Sequence, residues 1–90
     1  MTQTNINGTV IFGKENCVFC ERAKKLLDGL RIQYTYRDAG NPNTRAELLE
    51  LVPGAKTVPQ IWLYGTYVGG WEDLVSYIED HAVTTGGGSF

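Results

Sequence analysis

The chain has 90 residues, 42% hydrophobic and 20% charged, with a formal net charge of −2. That length suits one domain with its own apolar core. The mildly acidic balance gives no electrostatic basis for binding nucleic acid or an anionic membrane, and the apolar runs are too short to cross a bilayer.

Met1 to Asn7 is polar and reads as an extended lead-in. It has neither a basic n-region nor an apolar h-region, so a secretory signal is not expected and a reducing, cytoplasmic setting is. Thr9 to Phe12, bounded by Gly8 and Gly13, predicts a first strand. A loop follows, in which Asn16 is the candidate N-cap of a helix. From there Cys20, Ala23, Leu26, Leu27 and Leu30 share one helical face, with Arg22, Lys24, Lys25 and Asp28 on the other. Asp28-Gly29 closes the last turn. Ile32 to Arg37 alternates, with Ile32, Tyr34 and Tyr36 on one side, as a half-buried strand does. Strand, helix and strand in this spacing predict a right-handed crossover between parallel strands.

Asp38 to Pro42 is rich in turn residues. Asn43-Thr44 is the expected cap of a second helix, Arg45 to Val52, buried through Ala46, Leu48, Leu49 and Val52 and ended by Pro53-Gly54. Gln60 to Tyr64 predicts a third strand. Gly65-Thr66 turns it into a short fourth, Tyr67-Val68. The last helix is expected over Trp71 to His81, with Trp71, Leu74, Val75, Ile78 and Ala82 on its apolar face and Glu72 and Asp73 in its first turn. Residues 83–90, with Gly86-Gly87-Gly88-Ser89, read as a flexible tail. The order β-α-β-α-β-β-α predicts an α/β fold: a mixed four-stranded sheet with helices on both faces, forming one domain over residues 1–82.

Two cysteines, Cys17 and Cys20, are the only ones in the chain. They fall at the junction of the first strand and first helix, where a Cys-x-x-Cys pair points to redox chemistry. A zinc site needs about four ligands. The one other soft ligand, His81, falls on the last helix, so no metal is expected.

Four motifs follow one another along the chain: Lys14, Cys17-Val18-Phe19-Cys20, Thr57-Val58-Pro59, and Gly69-Gly70 with Asp73. In this order, over Thr9 to Glu79, the chain resembles a dithiol glutaredoxin of the thioredoxin fold. Phe19 stands where the family usually has Tyr, and Val18 where many dithiol members have Pro. The resemblance implies a glutathione-dependent thiol–disulfide oxidoreductase with Cys17 as nucleophile and Cys20 as resolving thiol. At a helix start beside Lys14, the Cys17 thiol ionises more readily than an ordinary thiol of pKa ~8.5. As an attacking group it gains little, because intrinsic nucleophilicity falls along with basicity. As a leaving group it gains directly.

The resemblance also implies a cis bond before Pro59, leaving the Val58 backbone free to pair with an incoming peptide. Glutathione is then bound by Lys14, Phe19, Lys56, Thr57, Val58, Pro59, Gly70, Glu72 and Asp73. Its glycine carboxylate falls to Lys14 and to a basic or amide residue on the second helix. The matching position there is Ala46, which leaves Arg45 or Lys56 to substitute. Its γ-glutamyl carboxylate meets the N–H groups of Gly70 to Asp73, and Asp73 accepts from its ammonium. The implied partners are glutathione and disulfide-bearing proteins, ribonucleotide reductase being one candidate, acting on a monomer. Two other readings fit the same residues: a glutaredoxin-like thioredoxin served by a flavin reductase, and a [2Fe-2S] scaffold held by Cys17 of two monomers and two glutathiones.

Overall fold

The structure is a computed structural model that describes residues 8–81. Seven elements follow in order: β1 (Val10–Gly13), α1 (Val18–Gly29), β2 (Thr35–Asp38), α2 (Pro42–Leu51), β3 (Gln60–Leu63), β4 (Thr66–Gly69) and α3 (Trp71–His81). The expected lead-in, Ala82 and the glycine-rich tail lie outside the described residues.

The four strands form one sheet in the order β2-β1-β3-β4. β1 runs parallel to β2, with Ile11 opposite Tyr36, and antiparallel to β3, with Ile11 opposite Ile61. β3 and β4 form an antiparallel hairpin. Every residue of β1 and β3 is buried. Strands covered on both faces read as continuous apolar runs rather than alternating ones. On one face Ile11, Ile61 and Leu63 pack with Ala23 and Leu27 of α1 and Leu74 and Ile78 of α3. On the other, Val10, Phe12 and Trp62 pack with Ala39 and with Leu48 of α2. The result is three layers, with two helices on one side and one on the other.

α3 spans the expected residues, and Ile32, Tyr34 and Tyr36 face the α1/α3 core as the alternation implies. Other boundaries differ. The N-cap of α1 is Cys17, not Asn16. Its backbone is extended and its sulfur accepts from the Cys20 N–H. Asn16 instead takes a left-handed conformation at φ 59°, which Asn tolerates better than most residues. α1 ends at Gly29 as expected, with Leu30 as its C-cap, and the left-handed residue that closes it is Arg31, at φ 62°. The N–H of Arg31 bonds to Asp28 O at 3.0 Å and that of Ile32 to Leu27 O at 2.9 Å. This is a Schellman closure, and Leu27 and Ile32 meet in the core beneath it.

α2 starts earlier than expected. Asn41 caps it, its side chain accepting from Asn43 N at 2.8 Å and Thr44 N at 3.4 Å, and Pro42 takes the first helical position. The Asn43-Thr44 cap and the burial of Ala46 and Leu49 are therefore corrected. Ala46 and Leu49 are exposed, and α2 meets the sheet through Leu48, Leu51 and Val52, a narrower stripe at i, i+3 and i+4. The β3–β4 turn is centred on Tyr64 and Gly65, at φ 49° and 89°, one residue before the expected pair. Positive φ at both positions matches the twist of the hairpin. The Tyr64 N–H donates to Thr9 Oγ1 at 3.1 Å, which accounts for a buried threonine at the entry to β1.

Burial raises the phenol pKa of both Tyr34 and Tyr36 above the usual 10.0, with the negative charge of Asp28 adding to the effect at Tyr34. Below 10.0 the phenols stay protonated in the folded and unfolded chain, and their contribution to stability is intact. Above it the unfolded chain releases these protons first, so stability falls as pH rises through the raised native values. Urea denaturation across this range is expected to show that fall, and replacing both tyrosines with Phe is expected to flatten it. An equally steep fall in the double variant would contradict the assignment.

Candidate active site

Cys17 and Cys20 form a disulfide, their Cα atoms 5.2 Å apart. The two sulfurs differ in setting. Cys17 is half-buried at the helix start, whereas Cys20 is fully buried on the apolar face one turn in. Cys17 Sγ lies 3.1 Å from the Cys20 N–H, among the first-turn amides that have no partner within the helix. Negative charge on this sulfur is therefore met by N–H groups and by the positive end of the helix dipole.

The Val58–Pro59 peptide bond is cis. Val58 O lies 3.8 Å from Cys17 Sγ, so a segment 41 residues away in sequence forms the opposite wall of the site. A hydrogen-bond chain holds this wall. The Tyr67 hydroxyl donates to Gln60 Oε1, and Gln60 Nε2 donates to Thr57 O at 3.0 Å. Gln60 is buried, and its position on β3 ties the Thr57-Val58-Pro59 turn to the sheet.

Two grooves meet at this wall. One, of about 860 Å³, runs from Lys14 and Cys17 past Val58 and Lys56 to Arg45 and Leu48 on α2. The other, of about 330 Å³, is bounded by Phe19, Pro59, Gly70, Trp71 and the Glu72-Asp73 pair. Thr57 and Val58 line both. The sequence-predicted site residues thus come together in two sets, with Cys17 between them and Cys20 beneath.

The second groove ends on the N-terminus of α3. The Leu74 N–H bonds to Gly70 O at 2.9 Å, so Gly70 is the helix cap. Asp73 Oδ2 accepts from the Gly70 N–H at 3.1 Å, the reach-back half of a capping box. Gly69 is held at φ 119°, and a Cβ there would overlap the Asp73 carboxylate. The missing side chain at Gly69 thus lets the strand pass close to Asp73. Asp73 has a structural role of its own, with one carboxylate oxygen committed to the cap.

Of three further groups at the site, the sequence offers Arg45 as a substitute for Ala46, leaves Trp71 between groove and core, and gives no sign of Tyr36. Arg45 lines the first groove, its Nη1 donating to Ala39 O at 3.4 Å, while the family-matched Ala46 does not line it. The earlier start of α2 sets this phase, and the Asn41-Pro42 pair is the signal that would have shown it. Trp71 walls the second groove and also packs against the core. Tyr36, read as a core-facing strand residue, reaches the site loop with its hydroxyl 3.4 Å from Lys14 O. His81 is accounted for: its ring stacks on Tyr77 and its Nδ1 lies 2.9 Å from Tyr77 O. Among the described residues, no three His, Cys, Asp or Glu side chains cluster to hold a metal ion.

A half-buried sulfur at a helix start, a fully buried partner one turn on and an open groove on either side of the Val58 wall suit thiol–disulfide exchange, the chemistry of oxidoreductases with the thioredoxin fold. The glutaredoxin family model matches residues 9–68. A glutaredoxin of Pseudomonas aeruginosa is 46% identical over 67 residues, covering 72% of this chain and 77% of that protein. Glutaredoxin 1 of Escherichia coli is 34% identical over 80 residues, covering 81% of this chain and 94% of that one. Among solved structures, a buckwheat glutaredoxin–glutathione complex superposes with a TM-score of 0.73 at 30% identity, covering 86% of this chain and 73% of that chain. The chain belongs to the glutaredoxin family.

The cap on α3 can be tested by stability. Asp73→Ala leaves the Gly70 N–H without its acceptor and is expected to cost about 0.5–2 kcal/mol, read by urea denaturation. Asp73→Asn keeps a side-chain oxygen and is expected to lose much less. Equal losses would show that the hydrogen bond is not what stabilises the turn.

Proposed function

We propose that the protein is a dithiol glutaredoxin that uses glutathione as its reductant and reduces both glutathione mixed disulfides and protein disulfides. The observation that carries this reading is the pair of grooves meeting at Cys17, with opposite chemistry at their far ends. Lys14, Arg45 and Lys56 line the first groove and supply positive charge for the glycine carboxylate. The second offers the first-turn N–H groups of α3 for the γ-glutamyl carboxylate and the Asp73 carboxylate for its ammonium. Between them, the Val58 backbone is available to pair strand-fashion with the cysteine of the tripeptide. Phe19, 48% exposed, covers the approach from the α1 side. The buckwheat relative is described as a complex with glutathione, which supports the same ligand here.

In this reading the Cys17 thiolate attacks a disulfide R–S–S–R′, forming Cys17–S–S–R and releasing R′–S⁻. Departure of that thiolate is followed by one of two steps. A glutathione thiolate attacks the R sulfur and Cys17 leaves, which its helix-start position favours. Alternatively, the Cys20 sulfur attacks Cys17 and releases R–S⁻, and glutathione then reduces the resulting disulfide. The first route suits glutathione mixed disulfides and the second protein disulfides. A cytoplasmic location, a monomeric state and ribonucleotide reductase as one protein substrate belong to the same proposal.

Cys17→Ser is expected to abolish exchange with every substrate. Cys20→Ser is expected to spare the reduction of a glutathione mixed disulfide while impairing reduction of a protein disulfide, measured in parallel with glutathione and glutathione reductase. Equal loss on both substrates would contradict separate roles for the two thiols. Arg45→Ala is expected to raise the KM for glutathione severalfold with kcat little changed. An unchanged KM would remove Arg45 from the glycine end.

A further inference from the structure

Gly13 marks a point where two elements converge on the buried sulfur. It is the last residue of β1, opposite Asp38 in the parallel register. A Cβ placed there would overlap the Tyr36 hydroxyl and stand 2.9 Å from Cys20 Sγ. The lack of a side chain at Gly13 therefore lets the phenol from β2 and the sulfur from α1 lie beside the same point. The phenol's bond to Lys14 O is long, at 3.4 Å, beyond the usual range for O–H donors, and so easily exchanged for a better acceptor. The ring packs against the α1/α3 core. Lys24 Nζ stands 4.3 Å from its centroid and pairs with Glu21 at 3.2 Å.

We propose that Tyr36 is a positioning residue for the resolving step, its hydroxyl turning from Lys14 O to donate to the Cys20 sulfur as that sulfur becomes a thiolate. The proposal rests on the reading of Cys20 as the resolving thiol. In that step Cys20 gives up its proton and its sulfur attacks Cys17. The Cys17–S–S–R bond breaks, the Cys17–Cys20 disulfide forms, and the departing R–S⁻ takes up the proton. Cys20 is fully buried, and burial disfavours the thiolate. A neutral donor beside it offsets that penalty without burying another charge. The charged groups around the phenol are mixed: Lys24 favours a nearby anion, while Glu21 and Asp38 oppose one. Lys14 reaches the phenol through its backbone carbonyl.

Tyr36→Phe keeps the ring and removes only the hydroxyl, and two readouts test it. With Cys17→Ser as background, Cys20 is the sole thiol, and the NMR shift of its Cβ carbon followed against pH reports its ionisation. Tyr36→Phe is expected to move that titration upward by about one pH unit, a tenfold loss of thiolate. With both cysteines present, single-turnover release of glutathione from the Cys17 mixed disulfide is expected to slow about threefold, because the tenfold loss of thiolate is partly offset by the greater nucleophilicity of a more basic sulfur. With Cys20→Ser as background, glutathione-dependent turnover is expected to keep its rate when Tyr36→Phe is added. An unmoved titration would overturn the proposal. So would equal slowing without Cys20, which would place the effect in the Lys14 loop. A moved titration with an unchanged release rate would also overturn it, because Tyr36 would then have no part in the resolving step.

Discussion

The arrangement depends on one short contact, the sulfur of Cys17 accepting from the Cys20 N–H at the first turn of α1. An ordinary helix uses Ser, Thr, Asp or Asn in that place. Here the capping atom is the sulfur proposed as nucleophile, so the forces that begin the helix are the same forces that favour a negative sulfur. The contact also separates the two cysteines. One turn of helix places Cys20 on the fully buried face and leaves Cys17 half-buried at the groove.

That contact would be idle without a fixed wall opposite. β1 lies between β2 and β3, buried on both faces, and it delivers the Cys17 loop at its C-terminal end. β3 is its antiparallel neighbour, with Gln60 opposite Phe12, so the turn that enters β3 arrives at the same end of the sheet. Gln60 then locks Thr57, which places Val58 against Cys17. On the far side of the sheet, an Arg37–Glu47 ion pair fastens α2 to β2, and α2 holds Arg45 over the first groove. The site is thus assembled by sheet order, with each wall supplied by a different element.

How far this was legible depends on whether the information was local. α1 and α3 each bury a stripe at helical spacing, and their cores follow from periodicity. α2 is weakly patterned: Leu49 looks like core and is exposed, while the true start at Asn41-Pro42 lies inside a run that reads as loop. The phase of α2 decides whether residue 45 or 46 faces the groove, so the basic residue there was not assignable from spacing. Asp73 was legible as a helix-start acid, and its motif order linked it to the distant cysteines. Its bond to Gly70 shows that the capping role and the proposed ligand role fall on one side chain. Tyr36 was hidden for a different reason. Its proximity to Cys20 exists only through the parallel register of β1 and β2 and the missing side chain at Gly13, and no local pattern encodes either.

The central claim is that the two grooves beside Cys17 hold the two ends of glutathione. The most direct measurement is an NMR or crystal structure of the Cys20→Ser protein trapped as its Cys17–glutathione mixed disulfide. The glycine carboxylate is expected among Lys14, Arg45 and Lys56, the tripeptide backbone paired with Val58, and the γ-glutamyl group at the amides of Gly70 to Asp73. A glutathionyl group that is tethered only by its disulfide, with neither end ordered against these residues, would contradict it.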